Sequence, residues 1–486
     1  MDFEKTLLNF KDVKERLQYT ATLPEKLVLD LCSKNTELNQ TLCLNEDYWK
    51  IRYLKNSKAP TTEPKSWKKL HLFSDINEVL SFGSNNYGQL GLGDGEDRNI
   101  PTQIPSDIKA KQIACGGQHS MIIDTDSNSW SFGKNYNGQL GLGDNTERVK
   151  PTQIPNIKAK QIACGGEHSM IIDMNGDLWS FGQNIFGQLG LEDNENRNKP
   201  TQIPNMNAKQ IASDYYHSMI IDLNNNVWSF GSNNNGQLGL GDYEHRNKPT
   251  QIPNIKAKQI ACGENHSMII DLNDNVWSFG FNYGRLGDYT RRNKPTQIPN
   301  IKAKQIACGY YHSMIIDLNN NVWSFGHNDK GQLGLGDYEH RNKPTQIPGI
   351  KAKQISCGEY HSMIIDTDNN GWSFGDNYSG RLGLEDDTDR NIPTQIQMAS
   401  GIKAIQIACG REHSMILTSN PTLLSFDEIT NMFSQGQVTD FEIEHNLQIP
   451  YKALQGIYIG TFTDKQGQTK YGYIRYNQET NQILKP

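Results

Sequence analysis

Several residue types recur in this 486-residue chain at spacings that could support chemistry. Seven histidines, each followed by serine, stand at His119, His168, His217, His266, His312, His361 and His413. Imidazoles can ligate metals or move protons. Cysteines stand four residues before six of them, at Cys115, Cys164, Cys262, Cys308, Cys357 and Cys409; Ser213 takes that place in the third copy. Each copy also carries an Asp and an Arg four apart, from Asp94/Arg98 to Asp386/Arg390. The stretch Asp366-Thr367-Asp368-Asn369-Asn370-Gly371 opens like a calcium loop.

Repetition argues against each of these as a reactive centre. A metal needs ligands that converge on one point, and seven copies of one motif spread out instead. A histidine at a strand start can hydrogen-bond a backbone carbonyl and pin the turn. The cysteines read as small core residues, with no C-x-x-C pair. The Asp–Arg pairs read as tethers for a long loop. The calcium pattern lacks its bidentate Glu, since Asn377 stands at the twelfth position; a tight hairpin turn explains the same residues. No phosphate-binding loop and no G-x-S-x-G elbow occur. The expectation is a binding protein with no catalytic residue, metal or cofactor.

The elements that carry these residues follow from the period. Ser-Phe-Gly ends at Gly83, Gly133, Gly182, Gly231, Gly280, Gly326 and Gly375, in steps of 50, 49, 49, 49, 46 and 49. One unit reads as four short strands: Pro249–Ile252, Lys256–Gly263, His266–Asp271 and Val276–Gly280. Four antiparallel strands per period of this length make one propeller blade. The expected fold is all-β, a seven-bladed propeller of four-stranded blades over residues 79–427. The first copy begins with only its fourth strand and the last ends with its third, so Val79–Gly83 is expected to complete the last blade. Thr422–Phe426 imitates that strand and is the rival for the slot.

Composition agrees. Hydrophobic residues are 35% and glycine numbers 43, as suits many short strands and turns. Residues 79–427 hold 30 basic and 36 acidic side chains and so carry the whole net charge of −6. That excludes the basic footprint of nucleic-acid binding. No stretch reaches the roughly 18 apolar residues of a membrane span. The charged N-terminus lacks a signal-peptide core, so an intracellular protein of cytoplasm or nucleus with reduced thiols is expected.

The run SFGxNxxGQLGLGDxxxRxxPTQIPxIKAKQIACGxxHSMIID resembles the regulator of chromosome condensation repeat family over residues 79–417. The resemblance implies a seven-bladed propeller and, for some members, nucleotide exchange on the small GTPase Ran. Copy-to-copy variation is greatest in the two residues before His-Ser: Gly117-Gln118, Gly166-Glu167, Tyr215-Tyr216, Glu264-Asn265, Tyr310-Tyr311, Glu359-Tyr360 and Arg411-Glu412. Tyr215, Tyr216, Tyr310, Tyr311, Glu359, Tyr360, Arg411 and Glu412 are therefore the candidate contacts for a target protein on one propeller face. Drift at tolerant loop tips is the other explanation.

The flanks differ. Residues 1–70 show helical spacing at Phe3, Leu7, Leu8, Phe10, Val13 and Leu17. Leu23-Pro24, Leu27, Leu31-Cys32-Ser33-Lys34-Asn35, Leu42-Cys43, Tyr48-Trp49-Lys50 and Trp67-Lys68-Lys69-Leu70 resemble a degenerate F-box, with 25 positions from Pro24 to Trp49 and one helix shortened or moved. The resemblance implies docking on a Skp-type linker of a cullin ubiquitin ligase, through Leu23, Pro24, Leu27 and Leu31. A small helical cap on the propeller is the alternative. F-box-like helices before such repeats are similar to proteins of large DNA viruses, which would place the protein in a host cell. Residues 428–486 read as a small α+β extension, with a helix at Asp427–Phe433 and a hairpin of Gly456–Phe462 and Lys470–Tyr476. Three functions follow: an adaptor joining a target protein to a ubiquitin ligase, an exchange factor for a Ran-like GTPase, or a structural or virion scaffold.

Overall fold

A computed structural model describes residues 77–419, apart from 107, 282–290 and 399–401, and the backbone of four further strands within 438–483. The F-box-like segment with Leu23, Pro24, Leu27 and Leu31, the rival strand Thr422–Phe426 and the helix at Asp427–Phe433 lie outside the described residues.

Asn77–Ser419 form one compact unit of seven four-stranded blades. The blade of residues 159–202 shows the pattern. Its inner strand, Ala159–Cys164, pairs with His168–Asp173, which pairs with Asp177–Gly182, which pairs with the outer segment around Thr201-Gln202. The His-Ser-Met-Ile-Ile-Asp strand is buried along its whole length in this blade. Continuous apolar runs form strands covered on both faces. Here each blade's neighbours supply the cover.

The sequence suggests separate Pro-Thr-Gln-Ile and Ala-Lys-Gln-Ile strands. At five of the blade junctions they are one strand instead, such as Arg148–Cys164. Asn156 sits in its middle at φ +60°, with Asn205, Asn254 and Asn300 in the same region in later copies. Asn tolerates this left-handed conformation. The strand therefore bends without breaking, leaves one blade as its outer edge and enters the next as its inner edge.

The core lies between blades. Phe181 of one blade packs with Met121, Ile123 and Ile154 of the blade before it. The seven phenylalanines of the Ser-Phe-Gly motif are the largest fully buried side chains. Gly141, at φ +69°, lets its loop lie on Phe181, whose ring a Cβ there would meet at 2.8 Å.

Closure uses both chain ends. Asn77–Gly83 pairs residue by residue with His413–Ser419, from Asn77↔Ser419 to Gly83↔His413. The N-terminal strand thus fills the slot, and Arg98–Gln103 makes the outer edge of the same blade. The shared strands are interrupted on both sides of this blade, so no continuous sheet runs round the ring. Side chains join it to the first blade: Gln406 Nε2 donates to Ile113 O at 3.2 Å, and Ile113 N donates back to Gln406 Oε1 at 3.0 Å.

The histidines correct the sequence expectation. Their Nε2 atoms reach the serine hydroxyl of the next blade, not a carbonyl of their own turn. All seven contacts are 2.8 Å, ending with His413 to Ser120, so the series closes on itself. Serine makes the carbonyl bond. Ser169 Oγ donates to Gln139 O at 2.8 Å, and five other copies repeat this. A hydroxyl that donates to a carbonyl accepts from the imidazole, which fixes the proton on Nε2. Burial, the largest cause, lowers His119, His168, His217 and His413 to about 3. They are neutral links between blades.

In six of the seven copies a glycine opens this turn, and it has no room for a side chain. A Cβ on Gly165 would lie 2.2 Å from His168 Cε1. Gly165→Ala is expected to destabilise the protein by about 1–3 kcal/mol through overpacking, seen as a lower urea midpoint. Gly95→Ala, whose Cβ would meet only Asn85 O at 3.8 Å, should leave that midpoint in place.

The other recurring pairs behave as braces. Arg148 Nη2 meets Asp144 Oδ2 at 2.7 Å while its Nη1 donates to Thr146 O at 2.8 Å; five further described copies repeat the ion pair at 2.5–2.7 Å. At the calcium-like turn, Asp366 accepts from Asp368 N, Asn370 N, Asn370 Nδ2 and Trp372 Nε1, all at 2.8–2.9 Å. Burial works to raise this carboxyl, and the four donors outweigh it and hold it below its usual range. It is a filled hairpin turn. The Asp–Trp bond recurs in five other blades, a D-x5-W spacing visible in the sequence.

After the propeller, Val438–Ile443, Ile457–Asp464, Thr469–Asn477 and Gln482–Ile483 form an antiparallel sheet in that order. The expected hairpin is its centre, paired from Ile457↔Arg475 to Thr463↔Thr469. The strand Val438–Ile443 was not anticipated from the sequence.

Candidate protein-binding face

The turn before each His-Ser strand closes on itself: Gly165 N donates to His168 O at 2.8 Å, and five other copies do likewise. Two residues form the tip of each turn, and all are half-buried except Gly166 and Glu359, which are buried. The loop after Ser-Phe-Gly emerges beside them, as the strand order predicts. Phe186 in such a loop touches Tyr216 at 5.1 Å, and Tyr311 lies 5.8 Å from His327 in another.

The five candidate tyrosines come together. Tyr215 packs edge-on against Tyr216 at 4.4 Å and Tyr310 at 5.4 Å. Tyr310 continues to Tyr311 at 5.1 Å, and Tyr360 lies 6.4 Å from Tyr310. With His245 beyond Phe186 and His340 stacked on His327 at 4.2 Å, the rings form one connected arc. Edge-to-face pairs at these separations are favourable beyond their area. All five tyrosines are half-buried.

Charges flank the arc. Arg411 Nε meets Glu359 Oε2 at 3.0 Å, and Glu412 lies 3.8 Å from Arg411. Burial raises the Glu359 carboxyl, and Arg411 opposes that shift. On the side of Gly117 and Gly166 the face is polar: Lys134 meets Glu167 at 2.5 Å and lies 5.4 Å from the Tyr87 ring. All eight candidate contacts are thus near the turns as expected, with Glu359, Arg411 and Glu412 forming one charged group.

Two features of the face were not drawn from the sequence. Arg381, 3% exposed, meets Asp376 at 3.0 Å. Gln holds the Arg381 position in most copies, and Asp follows Ser-Phe-Gly only in this one. That coupled change was the available signal. The second is Asp214, which stands where the other six copies have glycine. Burial pushes its carboxyl up to about 8, against the lowering effect of the Tyr215 amide and with a further push from Glu264.

One described group has the makings of a metal site. His327, Asp329 and His340 place ligand atoms within 4.8 Å of one another. The tautomers argue against it. Asn328 N donates to His340 Nδ1 at 3.0 Å, so neutral His340 carries its proton on Nε2, the atom facing Asp329 at 3.4 Å. His245 caps its loop the same way, accepting from Asn233 N at 2.9 Å. The geometry is that of a loop cap, with no Nε2 lone pair to offer a metal.

Fold and face define a seven-bladed propeller with one chemically asymmetric surface around its axis. The chain belongs to the regulator of chromosome condensation (RCC1) repeat family. The RCC1 repeat model matches residues 77–123, 127–172 and 175–221, and the RCC1-like domain model matches 208–431. Among curated relatives, an RCC1 repeat-containing protein of Schizosaccharomyces pombe is 43% identical over 53 residues, 11% of this chain and 15% of the relative. F-box only protein 24 of Macaca fascicularis is 34% identical over 61 residues, 13% of this chain and 10% of the relative. The chain thus matches well under two thirds of either relative's length. Prp20p of Saccharomyces cerevisiae, a structure described with its binding to Gsp1p and histones, shares the fold with a TM-score of 0.65 and 23% identity over 74% of this chain and 94% of its own. Human WBSCR16 does so with a TM-score of 0.64 and 22% identity over 71% and 99%.

Proposed function

We propose that the chain is a protein-binding adaptor acting in cytoplasm or nucleus. The propeller face holds a target, and the N-terminal segment recruits a Skp-type linker and its cullin ubiquitin ligase. Chemistry on the target is then the ligase's, and this chain acts by proximity. The observation that carries the reading is the arc of five half-exposed tyrosines, confined to three of seven turns. Tyrosine supplies large contact area at low entropy cost and is enriched where interfaces concentrate their energy. The local similarity to F-box only protein 24 supports the ligase half.

A second reading has one observation in its favour. Prp20p, of like fold, is described as binding Gsp1p. Exchange on a small GTPase would use the same face.

Full-length protein as bait, read by mass spectrometry, tests both. Skp and cullin subunits should co-purify, and Leu23→Ala with Leu27→Ala and Leu31→Ala should remove them without losing the target. Converting Tyr215, Tyr216, Tyr310, Tyr311 and Tyr360 to Ala should remove the target and keep the ligase subunits. A Ran-like GTPase retained preferentially without nucleotide, in place of Skp and cullin, would reverse the order of the two readings.

A further inference from the structure

Asp214 breaks a rule that six of seven blades keep. The residue opening the turn is Gly116, Gly165, Gly263, Gly309, Gly358 or Gly410 in the others, where a Cβ would lie 2.2–2.5 Å from the Cε1 of that blade's own histidine. In the third blade the strand runs on to Asp214, which pairs with His217 across the two-residue turn Tyr215-Tyr216. The backbone is rebuilt there in a form that admits a side chain.

That side chain lines a cavity of about 100 Å3 to which turns of all seven blades contribute, so it lies on the propeller axis. Tyr215, Tyr310, Glu359 and Arg411 also line it. Glu359 and Arg411 neutralise each other. Asp214 accepts the Tyr215 amide at 2.7 Å and, among the described residues, has no ion-pair partner. The nearby cations of the face are committed elsewhere, Lys134 to Glu167 and Arg381 to Asp376. Glu264 adds a second acid close enough to disfavour ionisation of Asp214.

Without a counterion the half-buried Asp214 carboxyl keeps its proton, and a cation entering the cavity would let it ionise and pair. The walls suit one, since cations are attracted to tyrosine faces. The space admits several waters, enough for one ammonium or guanidinium head. We infer that the axial cavity is a receptor for a single Lys or Arg side chain of the bound protein, with Asp214 as counterion and Tyr215 and Tyr310 as walls. This rests on the protein-binding reading above and names the chemistry its partner presents.

The test titrates full-length protein with Gly-Ser nonapeptides carrying a central Arg, Lys or citrulline, followed by calorimetry and by NMR of the peptide side chain. Arg or Lys peptides should bind at least tenfold tighter than the neutral citrulline peptide, and Asp214→Asn should abolish that preference. Equal binding of citrulline, an unchanged preference in Asp214→Asn, or no binding of either cationic peptide at millimolar concentration overturns the receptor. If Asp214→Asn fails to fold, Asp214→Gly, the residue of the other six copies, replaces it with the same expectations. A separate arm uses the captured target. If Tyr216→Ala with Tyr311→Ala and Tyr360→Ala loses it while the Asp214 variant keeps it fully, the protein-binding face stands and the cation receptor fails. If the tyrosine variant also keeps it, the face reading fails and the peptides alone judge the cavity.

Discussion

Acidification from pH 7 to 4.5 is expected to unfold the propeller well before most carboxylates protonate. The cause is the set of neutral imidazoles joining the blades. His119, His168, His217 and His413 are lowered to about 3 by burial, and His361 well below its usual value for the same reason. In the unfolded chain each titrates near 6.5. Between those values only the unfolded state binds the proton, so stability falls as pH falls, by about 1.4 kcal/mol per pH unit for each imidazole. The four lowered to about 3 remove on the order of 11 kcal/mol over two units, comparable to the whole stability of a domain. Asp214 works the other way. Its raised carboxyl is already protonated when folded, which returns about 3 kcal/mol over the same range. Urea unfolding at several pH values should show stability dropping by roughly 4–7 kcal/mol per unit near pH 5. A flat profile from 6.5 to 5 would mean that the imidazoles accept protons in place, and the His–Ser links would have to be redrawn.

The closing strand carries the second large effect. Leu80 and Phe82 insert among Met363, Ile365 and Ile416. Phe82→Ala is expected to cost about 3–5 kcal/mol by cavity formation. Phe82→Asp should cost more, because it adds an unpaired buried charge. It should free the paired chain ends, so that limited proteolysis trims Asn77–Gln103 first and the melting temperature falls by about 10 °C or more. Leu424→Asp, in the segment that mimics this strand, is expected to change neither. Equal damage from Leu424→Asp would return the slot to the later segment.

Much of this fold can be read from residue order alone, because a period near 50 with four turn-bounded strands leaves few architectures. Closure by Val79–Gly83 was legible from the incomplete first and last copies. The histidine partner was not. His119 and Ser169 are 50 residues apart, and only the ring geometry puts each histidine against the next blade's serine. The merged strands escaped for a local reason, since Asn156 in a Pro-Asn-Ile context reads as a turn until its φ of +60° is seen within a continuing strand. At the face, variation between copies located the tyrosines but not their contacts. Asp214 was visible as a lone departure from Cys-Gly, yet its meaning needed the steric reason for glycine in the other six copies.

Closure from both ends sets a timetable for synthesis. Thr418 Oγ1 bonds Glu78 O across 340 residues of chain. At roughly 5–20 residues per second, the first strand leaves the ribosome about 17–70 s before its partner exists. Through that interval Asn77–Gly83 is an apolar edge with unpaired backbone groups, the kind of template that other nascent chains can pair with. Blades one to six can stack as they emerge, but the ring cannot lock. Slow translation and crowded polysomes are therefore the conditions under which this protein most needs a chaperone.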